Sequence, residues 1–301
     1  MLGDLLDTEA VVADTFSEAS DALGYDMQQL VAANPDGKLD NTEYTQPALL
    51  TASTALFRLW RERGGDEAAY AAGHSLGEYS ALVAAGSLAF DDGVRLVAFR
   101  GRAMSQAVPA GVGLMAAILG LDDDKVETLC EEACQGDNRV WPANYNCPGQ
   151  LVVAGHVAAV ERLIELAKAA GARRAMALQV SAPSHTPLMQ PAADQLQERL
   201  AGIAIAQPAM PVWSNALAIP LSNADAIREA LVSQLVSPVR WTETVRSMHA
   251  QGVNRAVEMG PGKVLAGIVR RVERNLSVHA TDSSPAMDAA IAAMQQEESD
   301  E

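Results

Sequence analysis

Apolar residues recur every three to four positions over residues 8–23, where Val11, Val12, Phe16, Ala19 and Leu23 fall on one face, and this spacing predicts an amphipathic helix. A second helix is predicted to open at Thr45-Gln46-Pro47, with Thr45 as its cap and Pro47 in its first turn. It should run through Leu49, Leu50, Ala55, Leu56 and Leu59 and stop at Gly64-Gly65. Ala69-Tyr70-Ala71-Ala72-Gly73 is then short, small and apolar, the composition of a buried strand. A turn at His74-Ser75 leads into a helix over 76–85, closed by Gly86-Ser87-Leu88. Asp91-Asp92 is expected to cap a further helix carrying Arg95, Arg100 and Met104.

The pattern then changes. Strands are predicted over 114–119, 140–145, 150–154 and 175–180, with helices over 122–134 and 157–170. The order β-α-β-β-α-β is that of a ferredoxin-like unit, placed at residues 108–182 and inserted into a larger α/β domain formed by 1–107 and 183–301. Beyond it strand and helix alternate again: strands over 210–214, 255–259 and 277–281, helices over 223–235 and 262–272. No internal repeat is visible, and the polar, acidic tail over 295–301 is expected to fray without a function.

Composition narrows the class. The chain has 301 residues, 49% of them hydrophobic and 4% aromatic, enough for a substantial core. A net charge of −16 argues against nonspecific nucleic-acid binding. Three cysteines, Cys130, Cys134 and Cys147, fit a reducing compartment without a disulfide framework. Cys130 and Cys134 share a helix face, but no cluster completes a metal site, so they read as buried small residues. No apolar run approaches a membrane span, and the first residues carry no targeting features. The expectation is a cytoplasmic protein without membrane contact.

The candidate chemistry centres on Gly73-His74-Ser75-Leu76-Gly77, which fits G-x-S-x-G between a small strand and a helix. A serine on so tight a turn needs room on both sides, which predicts glycine two residues before and after it. The following helix would direct N–H groups at the reacting oxygen, the Leu76 N–H among them. A serine nucleophile also needs a base. His74 would point away along the turn, His156 begins a helix of the small unit, and His249 and His279 lie on expected surface elements. His185 remains, in the loop Ser181-Ala182-Pro183-Ser184-His185-Thr186-Pro187, where the chain returns from the small unit to the large one. The later acids Asp194, Glu198 and Asp225 sit on helices that read as solvated, so a neutral carbonyl, with Gln234 and Asn215 as candidates, would orient the imidazole. Without a carboxylate partner the imidazolium is less stabilised, a bias toward transfer over hydrolysis. Arg100 lies in an otherwise apolar helix and is either a surface charge or a buried fork for a carboxylate.

These segments together resemble the malonyl-CoA:acyl-carrier-protein transacylase family. The resemblance rests on Gly73-His74-Ser75-Leu76-Gly77-Glu78-Tyr79-Ser80-Ala81-Leu82, on Thr45-Gln46-Pro47-Ala48-Leu49, and on Val97-Ala98-Phe99-Arg100-Gly101. It continues in Asn144-Tyr145-Asn146-Cys147-Pro148-Gly149-Gln150, Pro183-Ser184-His185 and Glu258-Met259-Gly260-Pro261-Gly262, so it covers nearly the whole chain. It implies an α/β-hydrolase-like parallel-sheet core with a ferredoxin-like insert. It makes Ser75 the acylated nucleophile, His185 its base, Arg100 the partner of the malonyl carboxylate, Gln234 the carbonyl that holds the histidine, and Leu76 an oxyanion donor. Asn144 and Asn146 would lie near the cleft.

The implied reaction is ping-pong transfer from malonyl-CoA to the phosphopantetheine thiol of acyl carrier protein in fatty acid biosynthesis, by a monomer using no cofactor or metal. Arg173-Arg174 and Arg270-Arg271 are candidate carrier contacts. Family members begin with a strand and a Pro-Gly-Gln-Gly-Ser-Gln loop supplying a second oxyanion donor; neither occurs here, and the expectation is a longer native chain. The rival readings are an esterase sharing the elbow, a truncated inactive homologue, and an acyltransferase of polyketide type.

Overall fold

The computed structural model describes residues 1–180 and 182–295. The expectation of a frayed tail therefore lies outside the described residues, except at Gln295, which ends the helix Ser284–Gln295.

The first long helix forms as Ala10–Leu23 and stops where Gly24 adopts a left-handed φ of 76°. Two elements follow that hydrophobic spacing did not signal. They are the helix Met27–Ala33, capped by Asp26 accepting from the Gln29 N–H at 2.8 Å, and the 3-10 turn Pro35–Asp40. The next helix, Thr42–Glu62, begins earlier than expected, because Asn41 stands just outside the first turn and accepts from the Glu43 N–H at 3.0 Å. Thr45 is therefore not the cap; its hydroxyl donates back to the Asn41 carbonyl at 2.9 Å, and Pro47 lies inside the helix.

This helix crosses Phe90–Gln106 at Gly101, where a Cβ would fall 2.4 Å from the Thr42 carbonyl oxygen. The missing side chain lets the two backbones approach, and this brings Gln46 to Arg100. Asp91 and Asp92 do not cap Phe90–Gln106. Ala89 occupies that position, and the two carboxylates lie in the first turn, where they favour the helix dipole.

Phe16, Leu50, Leu56, Leu59, Tyr79, Leu82 and Leu96 join one buried cluster with both helices. Each such side chain contributes about 1.5–3 kcal/mol on burial. At its edge Ala71–Ala72 pairs in parallel with Val212–Trp213, which pairs antiparallel with Pro220–Leu221. A separate parallel pair, Arg255–Glu258 with Ser277–Ala280, packs through the helices Trp241–Ala250 and Val264–Val272 into a second cluster around Val245, Val269 and Val278.

The middle of the chain follows the predicted order. Gly113–Leu119 pairs antiparallel with Gln150–His156 on one side and Arg174–Ala177 on the other, and Val140–Cys147 pairs with Gln150–His156. On one face of this four-stranded sheet, Ile118, Leu151 and Val153 meet Val126 and Leu129 of the helix Asp123–Ala133 and Val160 and Leu163 of Val157–Ala169. The alternate residues Met115, Ala143, Val152 and Ala154 form a small cluster on the opposite face. The edge strand is tied to the rest of the chain by backbone: Tyr145 N–H donates to the Val239 carbonyl at 2.9 Å, and Val239 N–H to the Ala143 carbonyl at 2.8 Å. The fold is mixed α/β. Among the described residues no helix is long and apolar enough to cross a membrane.

Candidate active site

The strand Ala71–Ala72 delivers the chain to Ser75, which has a φ of +50°, before the helix Gly77–Ala84 begins. A left-handed φ is unfavourable for a serine, so the surrounding contacts must hold it. Asn215 does much of this. Its Oδ1 accepts from the Ser75 N–H at 2.6 Å, and its Nδ2 donates to the Gly73 carbonyl at 2.6 Å.

The two glycines of the motif are not equivalent. A Cβ on Gly73 would fall 1.9 Å from the Gly77 carbonyl carbon, whereas a Cβ on Gly77 would meet nothing within 4 Å. The expectation that both relieve a clash is thus corrected. Gly73 makes the room, and it makes it for the backbone at Gly77.

His185, itself at φ +62° and 3% exposed, places Nε2 2.8 Å from Ser75 Oγ. Its Nδ1 lies 2.8 Å from the main-chain carbonyl of Gln234. A carbonyl can only accept, so Nδ1 carries the proton, Nε2 presents its lone pair, and the Ser75 hydroxyl donates to it. Of the two candidates for orienting the imidazole, Gln234 does so. Asn215 does not, because its amide is committed to the elbow. Burial, followed by the nearby Arg100 charge, pushes the His185 pKa down to about 3. The imidazole is neutral and proton-accepting at ordinary pH.

Arg100 is 1% exposed, so the fork reading, not the surface charge, describes its placement. Nη1 donates to Gln46 Oε1 at 2.7 Å, and Nη2 donates to Gln234 Oε1 at 2.8 Å and to Ser75 Oγ at 3.3 Å. The guanidinium also lies over the Tyr79 ring, 5.4 Å from its centroid. Nε is buried and has no hydrogen-bond partner among the described residues. Burial pulls the Arg100 pKa below its ordinary value, with Tyr79 and Glu78 opposing that shift.

The Leu76 N–H stands ahead of the first turn of Gly77–Ala84 and meets no acceptor among the described residues, as a donor reserved for a developing oxyanion would. His74 turns its ring away from Ser75 toward the small sheet. Its Nε2 lies 2.8 Å from Asn146 Oδ1, and its ring meets Trp241 edge-on at 5.5 Å. Asp194, Glu198 and Asp225 are exposed, as read from the sequence.

Three participants were not identified by sequence reasoning. Gln46 counted only as part of a helix opening, and Asn215 was weighed for the wrong partner. Glu78 has no role assigned by the sequence pattern, although a lone acid in the short apolar helix that follows the elbow is a signal.

The acyl transferase domain family matches residues 1–300, and the chain belongs to it. Within that family it is 52% identical over 291 residues to the malonyl CoA-acyl carrier protein transacylase of Escherichia coli K12, covering 97% of this chain and 94% of the relative. The transacylase of Coxiella burnetii superposes with a TM-score of 0.95 at 45% identity, over 97% of this chain and 92% of that one. A malonyl-transacylase solved in complex with its type II PKS acyl-carrier protein gives a TM-score of 0.95 at 49% identity, over 97% and 94%.

Proposed function

We propose that this protein is a malonyl-CoA:acyl-carrier-protein transacylase of fatty acid biosynthesis, working through an acyl-Ser75 intermediate. The observation that carries this reading is the sharing of one hydroxyl: Ser75 Oγ lies 2.8 Å from His185 Nε2 and 3.3 Å from Arg100 Nη2. A nucleophile, a base and a carboxylate receptor thus meet at one atom.

In the first half-reaction Ser75 Oγ attacks the thioester carbonyl while its proton passes to His185 Nε2. The oxyanion faces the Leu76 N–H, and collapse expels CoA, whose sulfur takes the proton from the imidazolium. In the second, the phosphopantetheine thiol gives its proton to His185 and its sulfur attacks the ester. Ser75 oxygen then leaves and recovers the proton. Arg100 binds the malonyl carboxylate, exchanging its hydrogen bonds to neutral carbonyl oxygens for charge-assisted ones.

That binding also acts on the base. Arg100 is part of what holds the His185 pKa down. A carboxylate on the guanidinium offsets this charge and makes the imidazolium easier to form, so a carboxylated acyl group improves both binding and chemistry. Arg100→Ala should lower kcat/KM for malonyl transfer by roughly 10²–10³, the usual cost of truncating one partner of a buried charge pair. Acetyl transfer, which needs no carboxylate partner, should lose far less. Equal losses for both acyl groups would remove Arg100 from the carboxylate.

The same reading takes residues 1–107 and 183–301 as an α/β-hydrolase-like core and 108–182 as a ferredoxin-like insert, with the cleft between them receiving the carrier arm. It places a monomeric enzyme in the cytoplasm. A second reading, transfer to a polyketide carrier, is favoured by the 49% identical relative whose partner is a type II PKS acyl-carrier protein. A higher kcat/KM with such a carrier than with a fatty acid carrier would select it.

A further inference from the structure

Behind Ser75 lies a carboxylate that the reaction above does not use. Glu78 is 0% exposed and sits one helical turn beyond the nucleophile. Its Oε2 accepts from Gln234 Nε2 at 2.7 Å and from the Asn215 N–H at 3.0 Å; its Oε1 is buried with no partner among the described residues. Gln234 Nε2 also donates to the Ser75 carbonyl at 3.0 Å, so two acceptors fix the direction of that amide. Its Oε1 is thereby turned to Arg100, 2.8 Å from Nη2. Glu78 reaches the guanidinium through one side chain and the elbow through another.

We propose that Glu78 is the counter-charge of Arg100 and a proton-coupled positioning residue: it balances the guanidinium while the acyl site is empty and takes up a proton when a carboxylate-bearing acyl group arrives. This rests on the reading that Arg100 receives the acyl carboxylate.

The physical case is charge neutrality in a dry site. An empty site holds one buried cation and one buried anion linked through Gln234. Adding an acyl carboxylate leaves two anions on one cation, and the low-dielectric surroundings penalise that excess. The excess can be removed at Glu78, where a proton from solvent adds to Oε1, the oxygen that receives no hydrogen bond, while Oε2 keeps both donors. Burial has already brought this carboxyl to a pKa of about 7, against the opposing effects of Asn215, Gln234 and Arg100. A second anion raises it further.

The groups facing Glu78 leave it as the available proton site. Arg100, on Phe90–Gln106, stays charged. Tyr79, beside it on the same helix, is a neutral phenol with its pKa raised to about 12. His185 is held neutral down to about 3, and burial also lowers the pKa of His74. Gln46, on Thr42–Glu62, together with Gln234 and Asn215, is neutral.

The test follows protons as well as product. Wild-type protein is mixed with malonyl-CoA or acetyl-CoA in weakly buffered indicator solution, with intact mass reporting acylation of Ser75. CoA release is common to both reagents, so the difference between them isolates the acyl group. At about pH 8 malonylation should take up close to one proton more per acylated Ser75 than acetylation does, and at about pH 6 almost none. In wild type the malonyl-to-acetyl ratio of kcat/KM should accordingly fall by roughly fivefold or more between about pH 7 and pH 9. Glu78→Gln, which can keep an acceptor toward Gln234 and Asn215 while losing the charge, should flatten that slope. Equal proton uptake with both acyl groups in wild type overturns the proposal whether or not the variant folds. A slope unchanged in Glu78→Gln also overturns it. Failure of malonyl-CoA to acylate wild-type Ser75 would instead sink the underlying reading of the site.

Discussion

The small four-stranded sheet and the site around Ser75 are built on opposite plans. The sheet buries Ile118, Leu151, Val153 and Leu163 against one another, with alternating strand residues and regularly spaced helix residues. Around Ser75 the buried side chains are instead Gln46, Glu78, Arg100, His185, Asn215 and Gln234, and they come from six separate stretches of chain. An apolar cluster tolerates small rearrangements, because dispersion and area burial are not directional. A buried polar network does not, because its hydrogen bonds are directional and a displaced donor or acceptor finds no replacement partner in a dry interior. Substitutions should therefore cost the first region stability and the second region chemistry.

The largest effect should be at the base. His185→Ala is expected to lower transfer by roughly 10⁴ or more, measured as single-turnover acylation, while the protein remains folded. Gly73→Ala should come next. Its Cβ would lie 1.9 Å from main-chain atoms of Gly77, so a loss of about 3 kcal/mol or more in denaturant unfolding, with loss of acylation, is expected. In the sheet, Leu163→Ala should cost about 2–5 kcal/mol of stability and leave the malonyl-to-acetyl ratio unchanged. A shift in that ratio would show that the two regions are not separable.

Titration gives effects of opposite sign within the site. The folded pKa of Glu78, about 7, lies above its ordinary 4.5, so its contribution to stability is full below about pH 4.5 and is lost as pH rises to about 7. His185, held near 3 against an ordinary 6.5, contributes fully above about pH 6.5 and loses its contribution as pH falls toward 3. Unfolding curves of Glu78→Gln should lack the first loss, a difference from wild type of about 3 kcal/mol across that window. The smallest effect should be at Gly77→Ala, where a Cβ meets open space in the first turn of a helix: less than about 1 kcal/mol in either direction.

The same contrast explains what could be read from the sequence. The order of elements in the sheet region was legible because periods of two and 3.6 leave a direct trace in the chain. The elbow was legible because Gly73 stands two residues before Ser75 and is demanded there by sterics. His185 emerged by elimination, and the resemblance then supplied Arg100 and Gln234 with their roles. Gln46, Glu78 and Asn215 were not resolved, because their meaning depends on which polar atom faces which across distances of 54 to 156 residues. No local rule of spacing specifies that. The start of Thr42–Glu62 was misplaced for a related reason: Thr45-Gln46-Pro47 looked like a cap, and the stronger cap, Asn41, lay four residues earlier.

The central claim is that Ser75 is the acylated atom because His185 and Arg100 converge on it. Intact-mass measurement after brief mixing with malonyl-CoA tests this most directly, in wild type, Ser75→Ala and Arg100→Ala. The account predicts one malonyl adduct in wild type, mapped to Ser75, none in Ser75→Ala, and a slowed or absent adduct in Arg100→Ala, which still accepts acetyl. An adduct that persists in Ser75→Ala, or a wild-type protein that never carries one, would contradict it.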